Sequence, residues 1–229
     1  MPSLRECSNG ATLVAAVAQH VARRLKEDLA QGGQAVLVVS GGRSPVPLLQ
    51  ALSTQALTWE RVVVTLTDER WVAPDQTDSN EALVRRHLLQ GRAAIARFVP
   101  LWTGDDTPEA AVPAVCTSLG ALAHPFSQVI LGMGEDGHMA SLFPGSSELG
   151  SGLTTEAAAL AVHPPHAAHA RLSLSLRALL DARDVVLMIA GEEKRLVLER
   201  ALGEGRVEDL PVRAILRQTA VPVSVFWAP

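Results

Sequence analysis

The chain has 229 residues, 48% of them hydrophobic, enough to bury the core of one α/β domain. Its net charge of -4 supplies no global positive field for nucleic acid or an anionic membrane, so a site for an anion has to be locally basic. Cys7 and Cys116 fit no metal spacing and suit a reducing compartment, and no apolar run reaches spanning length or follows a basic leader, so a soluble, cytoplasmic protein is expected.

Asn9 is placed to cap a helix running to about Ala30, in which Leu13, Val17, Val21, Leu25 and Leu29 form one apolar stripe. After Gly32-Gly33, the apolar run Ala35 to Val39 predicts a strand covered on both faces. Ser40-Gly41-Gly42-Arg43-Ser44-Pro45 follows, then a predicted helix over Val46 to Leu52: the layout of an anion site at a helix N-terminus. Arg61 to Leu66 predicts the next strand, with Thr67-Asp68-Glu69-Arg70-Trp71-Val72 at its carboxyl end. Asp78-Ser79-Asn80 caps a helix through Leu88-Leu89, Ala96 to Leu101 is a short strand, and Thr107-Pro108-Glu109 opens a helix to about Leu122. Val129-Ile130-Leu131 ends a buried strand, and Gly145 to Gly152 reads as a loop. Ala157 to Val162 and Arg171 to Leu174 are strands that can pair, and Leu176 to Leu180 is helical. Asp184 to Ala190 is a strong buried strand, Gly191-Glu192-Glu193-Lys194 leads into a helix through Leu202, Val212 to Leu216 is helical, and Val221 to Phe226 is the last strand. Strands alternating with helices argue an α/β fold: a mostly parallel sheet with helices on both faces, in one domain over residues 1–229.

The most informative stretch is QVILGMGEDGHMASLFPG, Gln128 to Gly145. Gly132, Gly134 and Gly137 reproduce the dinucleotide spacing, but that fingerprint needs a helix opening at the third glycine. Pro144 and Gly145 cut such a helix short, so a nicotinamide cofactor is not expected; the blander reading is a tight loop in which His138 caps a short helix. In a parallel sheet the carboxyl ends share one edge, so Ser40 to Ser44, Thr67 to Arg70, Gly132 to His138 and Gly191 to Lys194 can converge, joined by Arg171 from its own strand. Gly41, Gly42, Ser40, Arg43, Ser44, Arg171 and Lys194 suit a phosphate, although Arg171 or Lys194 alone is more simply read as solvated charge. His138 suits a general base acting on water, with Asp136 or Asp68 beside it and Arg70 to stabilise an oxyanion. No Gly-x-Ser-x-Gly elbow, Walker A, HExxH or CxxC motif is present. His163, His166 and His169 tempt a metal reading, but Pro164-Pro165 forbids a regular helix through them, and a surface loop is the better reading.

These residues resemble the 6-phosphogluconolactonase family over most of the chain. Ser40-Gly41-Gly42 with Pro45 resembles its phosphate loop, Thr67 to Val72 its DERWV motif, and Ser79-Asn80 with Leu88-Leu89 the helix after it. Leu131 to Gly145 resembles its LGxGxDGHxASLFPG signature, Arg171 to Ser175 its R-x-T-x-T segment, and Gly191 to Lys194 its GxxK turn. The resemblance implies hydrolysis of 6-phospho-D-glucono-1,5-lactone, without metal or organic cofactor, in the oxidative pentose phosphate pathway. It implies the fold shared with glucosamine-6-phosphate deaminase and ribose-5-phosphate isomerase. It puts the general base at His138, Arg70 at the reacting end, and Arg171 and Lys194 on the phosphate. The partner implied is a phosphorylated sugar lactone, with no nucleic acid or membrane, for a monomer or weak homo-oligomer. Arg43, Ser44, Ser173 and Ser175 depart from the family's usual residues, and His166 to Ala170 looks inserted. A deaminase signature resembles DGHIAFNEP, with a carboxylate five residues after the histidine, where this chain has Phe143. A sugar-phosphate-sensing regulator would carry a helix-turn-helix, for which the leader is too short.

Overall fold

The computed structural model describes residues 2–229. Helix α1 (Gly10–Ala30) begins as the sequence predicts: Thr12 N donates to Asn9 Oδ1 at 3.0 Å and Asn9 N donates to Thr12 Oγ1 at 3.1 Å, a reciprocal cap. All five residues of its apolar stripe are buried. Strands β2 (Ala35–Val39) and β3 (Val62–Leu66) are buried at every residue, as continuous apolar runs in a covered parallel sheet should be. Between them lies α2 (Val46–Ser53).

The main sheet has seven strands, all parallel, and adds β1 (Ser3–Glu6), β5 (Arg97–Phe98), β6 (Gln128–Leu131), β9 (Val185–Ala190) and β10 (Val223–Ala228). Its order is β1-β10-β9-β6-β2-β3-β5. The chain steps one way across the sheet from β2 to β3 and the other way from β6 to β9 to β10. Right-handed crossovers in opposite directions put their helices on opposite faces. Accordingly α1 packs with α2, while α7 (Glu192–Leu202) packs with α8 (Arg213–Arg217). The strand order reverses between β2 and β6, and a crevice opens there beyond their carboxyl ends.

Three expectations need correction. The residues Thr67 to Val72 are more than a loop: Asp68–Arg70 is strand β4 of a second sheet, antiparallel, in the order β4-β8-β7 with β7 (Ala159–Val162) and β8 (Arg171–Leu174). The β7–β8 pairing is the one the sequence suggests. The chain bends at Thr67, whose N–H donates to Val39 O at 3.0 Å and whose carbonyl accepts from Leu174 N at 2.9 Å, so one residue joins the two sheets. Gly145 to Gly152 is not all loop, since Leu149–Thr154 forms the short helix α5; its two glycines mask it. Ala96 to Leu101 pairs only over Arg97–Phe98. The remaining helices, α3 (Asn80–His87), α4 (Pro108–Gly120) and α6 (Leu176–Leu180), start where expected.

Candidate active site

The loop after β2 and the loop after β6 flank the crevice and are tied together. Ser40 Oγ donates to Ile130 O at 2.9 Å and lies 3.1 Å from Thr67 Oγ1. Gly41 packs so closely on the Asn80 amide that any Cβ would collide with it, and Gly42 has φ +92°, a left-handed conformation that favours glycine. The crevice is a cavity of about 260 Å³ lined by Ser40, Gly41, Gly42, Arg43, Ser44, Asp68, Arg70, His138, Arg171 and Lys194. The predicted site residues thus converge, with Asp136 standing behind His138.

The loop after β6 closes on itself: Gly134 N donates to His138 O at 2.9 Å and Gly137 N to Gly134 O at 3.0 Å. No helix opens at Gly137, so neither the dinucleotide geometry nor the reading of His138 as a helix cap applies. The His138 Nδ1 edge meets Asp136 Oδ1 at 2.6 Å, and the same oxygen accepts from His138 N at 3.1 Å. A carboxylate at Nδ1 holds a proton there, leaving Nε2 as the acceptor. The Phe143 ring packs on the imidazole with centroids 4.4 Å apart. Gly134 makes room for the couple, since a Cβ there would strike both the His138 ring and the Asp136 carboxylate.

Burial pushes the Asp136 carboxyl up, but the hydrogen bond and charge of His138 outweigh it and hold the group below the usual carboxylate range. Folding therefore favours the ionised form. That contribution is full above the unfolded value of about 3.9 and is lost as pH falls through the lower folded value. The difference in Tm between the wild type and Asp136→Asn is accordingly expected to be full above about pH 4 and to narrow as the pH falls below it. Thermal melts across that range check it; an undiminished difference at the acid end would contradict it.

Asp68 forms no hydrogen bond with His138. Its carboxylate accepts from Ser141 Oγ at 2.6 Å and Thr67 Oγ1 at 2.9 Å, and its carbonyl from Asn80 Nδ2 at 2.8 Å. Ser141 belongs to the His138 loop, so Asp68 fastens that loop to β4. Arg70 Nη1 donates to Asp78 O at 2.6 Å. Arg171 is only 8% exposed, and its Nε and Nη1 find no hydrogen-bond partner. Burial pushes its guanidinium pKa down; Asp68 opposes this, and the like charge of Arg70 adds to it. Lys194 stands in the first turn of α7, after Gly191 at φ +92°, and forms no ion pair among the described residues. Glu69 turns away from the cleft and accepts from the N–H groups of Arg70, Asn80 and Glu81, each at 2.7 Å, and from Ser79 Oγ at 3.1 Å. Burial nevertheless raises its pKa above the usual range.

Asn80, Ser141 and Glu69 are structural parts of the site that sequence reasoning passes over. Asn80 carries a signal in hindsight: Ser79 caps the helix alone, accepting from Ala82 N at 3.1 Å, so Asn80 is not needed as the cap. The three histidines do not converge. His163 lies 3.5 Å from Glu109 and 3.4 Å from Glu148, while His169 meets Asp78 at 3.2 Å.

A basic pocket facing a histidine–carboxylate couple, at the switch point of an open α/β sheet, offers groups suited to a small anionic ligand and to acid–base chemistry. The family model for glucosamine-6-phosphate isomerases/6-phosphogluconolactonase matches residues 8–227, and the chain belongs to that family. A 6-phosphogluconolactonase of Pseudomonas putida is 40% identical over 228 residues, covering 99% of this chain and 93% of that protein. The crystal structure of a 6-phosphogluconolactonase from Shewanella baltica superposes with a TM-score of 0.98 at 42% identity, covering 100% of this chain and 98% of that one. A monomeric glucosamine-6-phosphate deaminase shares the fold, with a TM-score of 0.80 at 19% identity over 99% of this chain and 97% of its own.

Proposed function

We propose that the chain hydrolyses 6-phospho-D-glucono-1,5-lactone to 6-phospho-D-gluconate, the lactonase step of the oxidative pentose phosphate pathway, in the cytosol and as one catalytic domain. The observation that carries this reading is the His138–Asp136 couple sharing one cleft with Arg171 and Lys194. His138 Nε2 takes a proton from water as the water oxygen bonds to the lactone carbonyl carbon. When the tetrahedral adduct collapses, the bond from that carbon to the ring oxygen breaks and His138 returns the proton to that oxygen. Asp136 keeps the imidazole oriented and stabilises its charged form. Arg171, Lys194 and the Ser40 to Ser44 loop bind the phosphate through charge-assisted hydrogen bonds.

Phe143 favours the lactonase over the deaminase. It occupies the position where a deaminase would offer a carboxylate, and it packs an apolar ring on His138 instead. The test is incubation with fresh phosphorylated lactone and, separately, with glucosamine 6-phosphate. Acid release from the first and no ammonia from the second are expected; ammonia release would overturn the assignment. Among the described residues no three His, Cys, Asp or Glu side chains are grouped to hold a metal ion, so hydrolysis is expected to persist in EDTA. Activity lost to chelator and restored by zinc or manganese would contradict that.

A further inference from the structure

The register of the small sheet pairs Arg70 with Arg171 directly across β4 and β8. Directly opposed residues of an antiparallel pair project from one face, with Cβ atoms about 4.5–5.5 Å apart, and like charges there repel. Both side chains line the cleft.

The nearby acids are committed elsewhere. Glu69, next along β4, points to the other face and caps α3. The Asp68 carboxylate accepts from Thr67 and Ser141, and the Asp78 carboxylate meets His169. Neither arginine forms an ion pair among the described residues. Arg171, buried with Nε and Nη1 unbonded, is a cation built to be neutralised from the cleft. Arg70 is pinned by one nitrogen on Asp78 O, which leaves the rest of its fork for another acceptor.

We propose that Arg70 and Arg171 form one clamp for the substrate's phosphate, so that Arg70 acts at the phosphate end and not at the reacting carbonyl. This rests on the lactonase reading and revises the role that family resemblance implies for Arg70. Two permanent cations fixed face to face call for a permanent dianion. A phosphate monoester carries about -1.5 to -2 charge in the ground state. A lactone carbonyl is neutral until the transition state, and would leave the two guanidiniums opposed and unscreened for most of the cycle. Two planar forks also match the tetrahedral phosphate, each able to give two parallel N–H···O bonds.

The test compares Arg70→Ala and Arg70→Gln with the wild type on phosphorylated and unphosphorylated gluconolactone. Binding of inorganic phosphate is measured calorimetrically beside it. Arg70→Gln keeps an N–H donor for Asp78 O without the charge, which guards against a folding defect. The clamp predicts that the kcat/KM ratio of phosphorylated to unphosphorylated lactone falls about ten- to hundredfold, mostly through KM. Phosphate affinity should weaken in parallel. Equal losses in kcat on both lactones, with phosphate affinity unchanged, would place Arg70 at the carbonyl and overturn the clamp. If the wild type hydrolyses neither lactone, the lactonase reading fails; the phosphate titration still decides whether Arg70 belongs to the anion site.

Discussion

His138→Asn is expected to lower kcat by about 10²–10⁴-fold, the range for a positioned general base, with KM much less affected. The reasoning starts from the loop. Gly134 leaves room for the imidazole, Asp136 holds Nδ1 at 2.6 Å, and Phe143 supports the ring, so Nε2 is the only edge left for water. Asparagine can take a place near Asp136 but offers no basic nitrogen to the cleft. The fold should survive, because His138 lies in a turn at the mouth of the sheet and outside the core. Steady-state kinetics on fresh lactone checks this, with spontaneous opening, which quickens in alkali, subtracted at each pH. Because Asp136 is held below the carboxylate range, it stays ionised through neutrality. An unchanged kcat would move the base elsewhere, with Asp68 the first residue to test.

Arg171→Ala is expected to cut kcat/KM for the phosphorylated lactone by about tenfold for each 1.4 kcal/mol of binding removed, and a hydrogen bond to a charged group is worth about 1.5–3 kcal/mol. More than one bond is at stake, since two of the three guanidinium nitrogens have no partner within the protein. Lys194→Ala should act in the same direction with a smaller effect, because Lys194 is partly exposed and bulk water screens it. The informative quantity is discrimination between phosphorylated and unphosphorylated gluconolactone. Loss of the phosphate contact lowers that ratio, whereas misfolding depresses both rates and leaves it alone. Wild-type discrimination in both variants would place the phosphate elsewhere.

Much of this architecture is legible in the sequence, for particular reasons. Val62–Leu66 and residues 185–189 are buried on both faces, so they read as unbroken apolar runs. The α1 stripe and its Asn9 cap are local patterns. By contrast, all four residues of Ser3–Glu6 are exposed, and that edge strand exists only through its pairing with β10. Asp68–Arg70 is short and charged, and is made a strand by residues about a hundred positions later. Chain order therefore shows that Arg70 and Arg171 belong to one cleft, but not that they face each other. The choice between Asp136 and Asp68 is of the same kind. Asp136 meets His138 only two residues further on, while Asp68 is drawn away by Ser141 across 73 positions of sequence.

The most direct measurement is the disappearance of freshly prepared 6-phosphogluconolactone at fixed pH, followed with and without the protein. The expected result is a rate above the spontaneous one, proportional to protein concentration, and returned nearly to background by His138→Asn. A rate equal to the spontaneous one, from folded protein that still binds the phosphorylated sugar acid, would contradict catalysis and leave a binding module in its place.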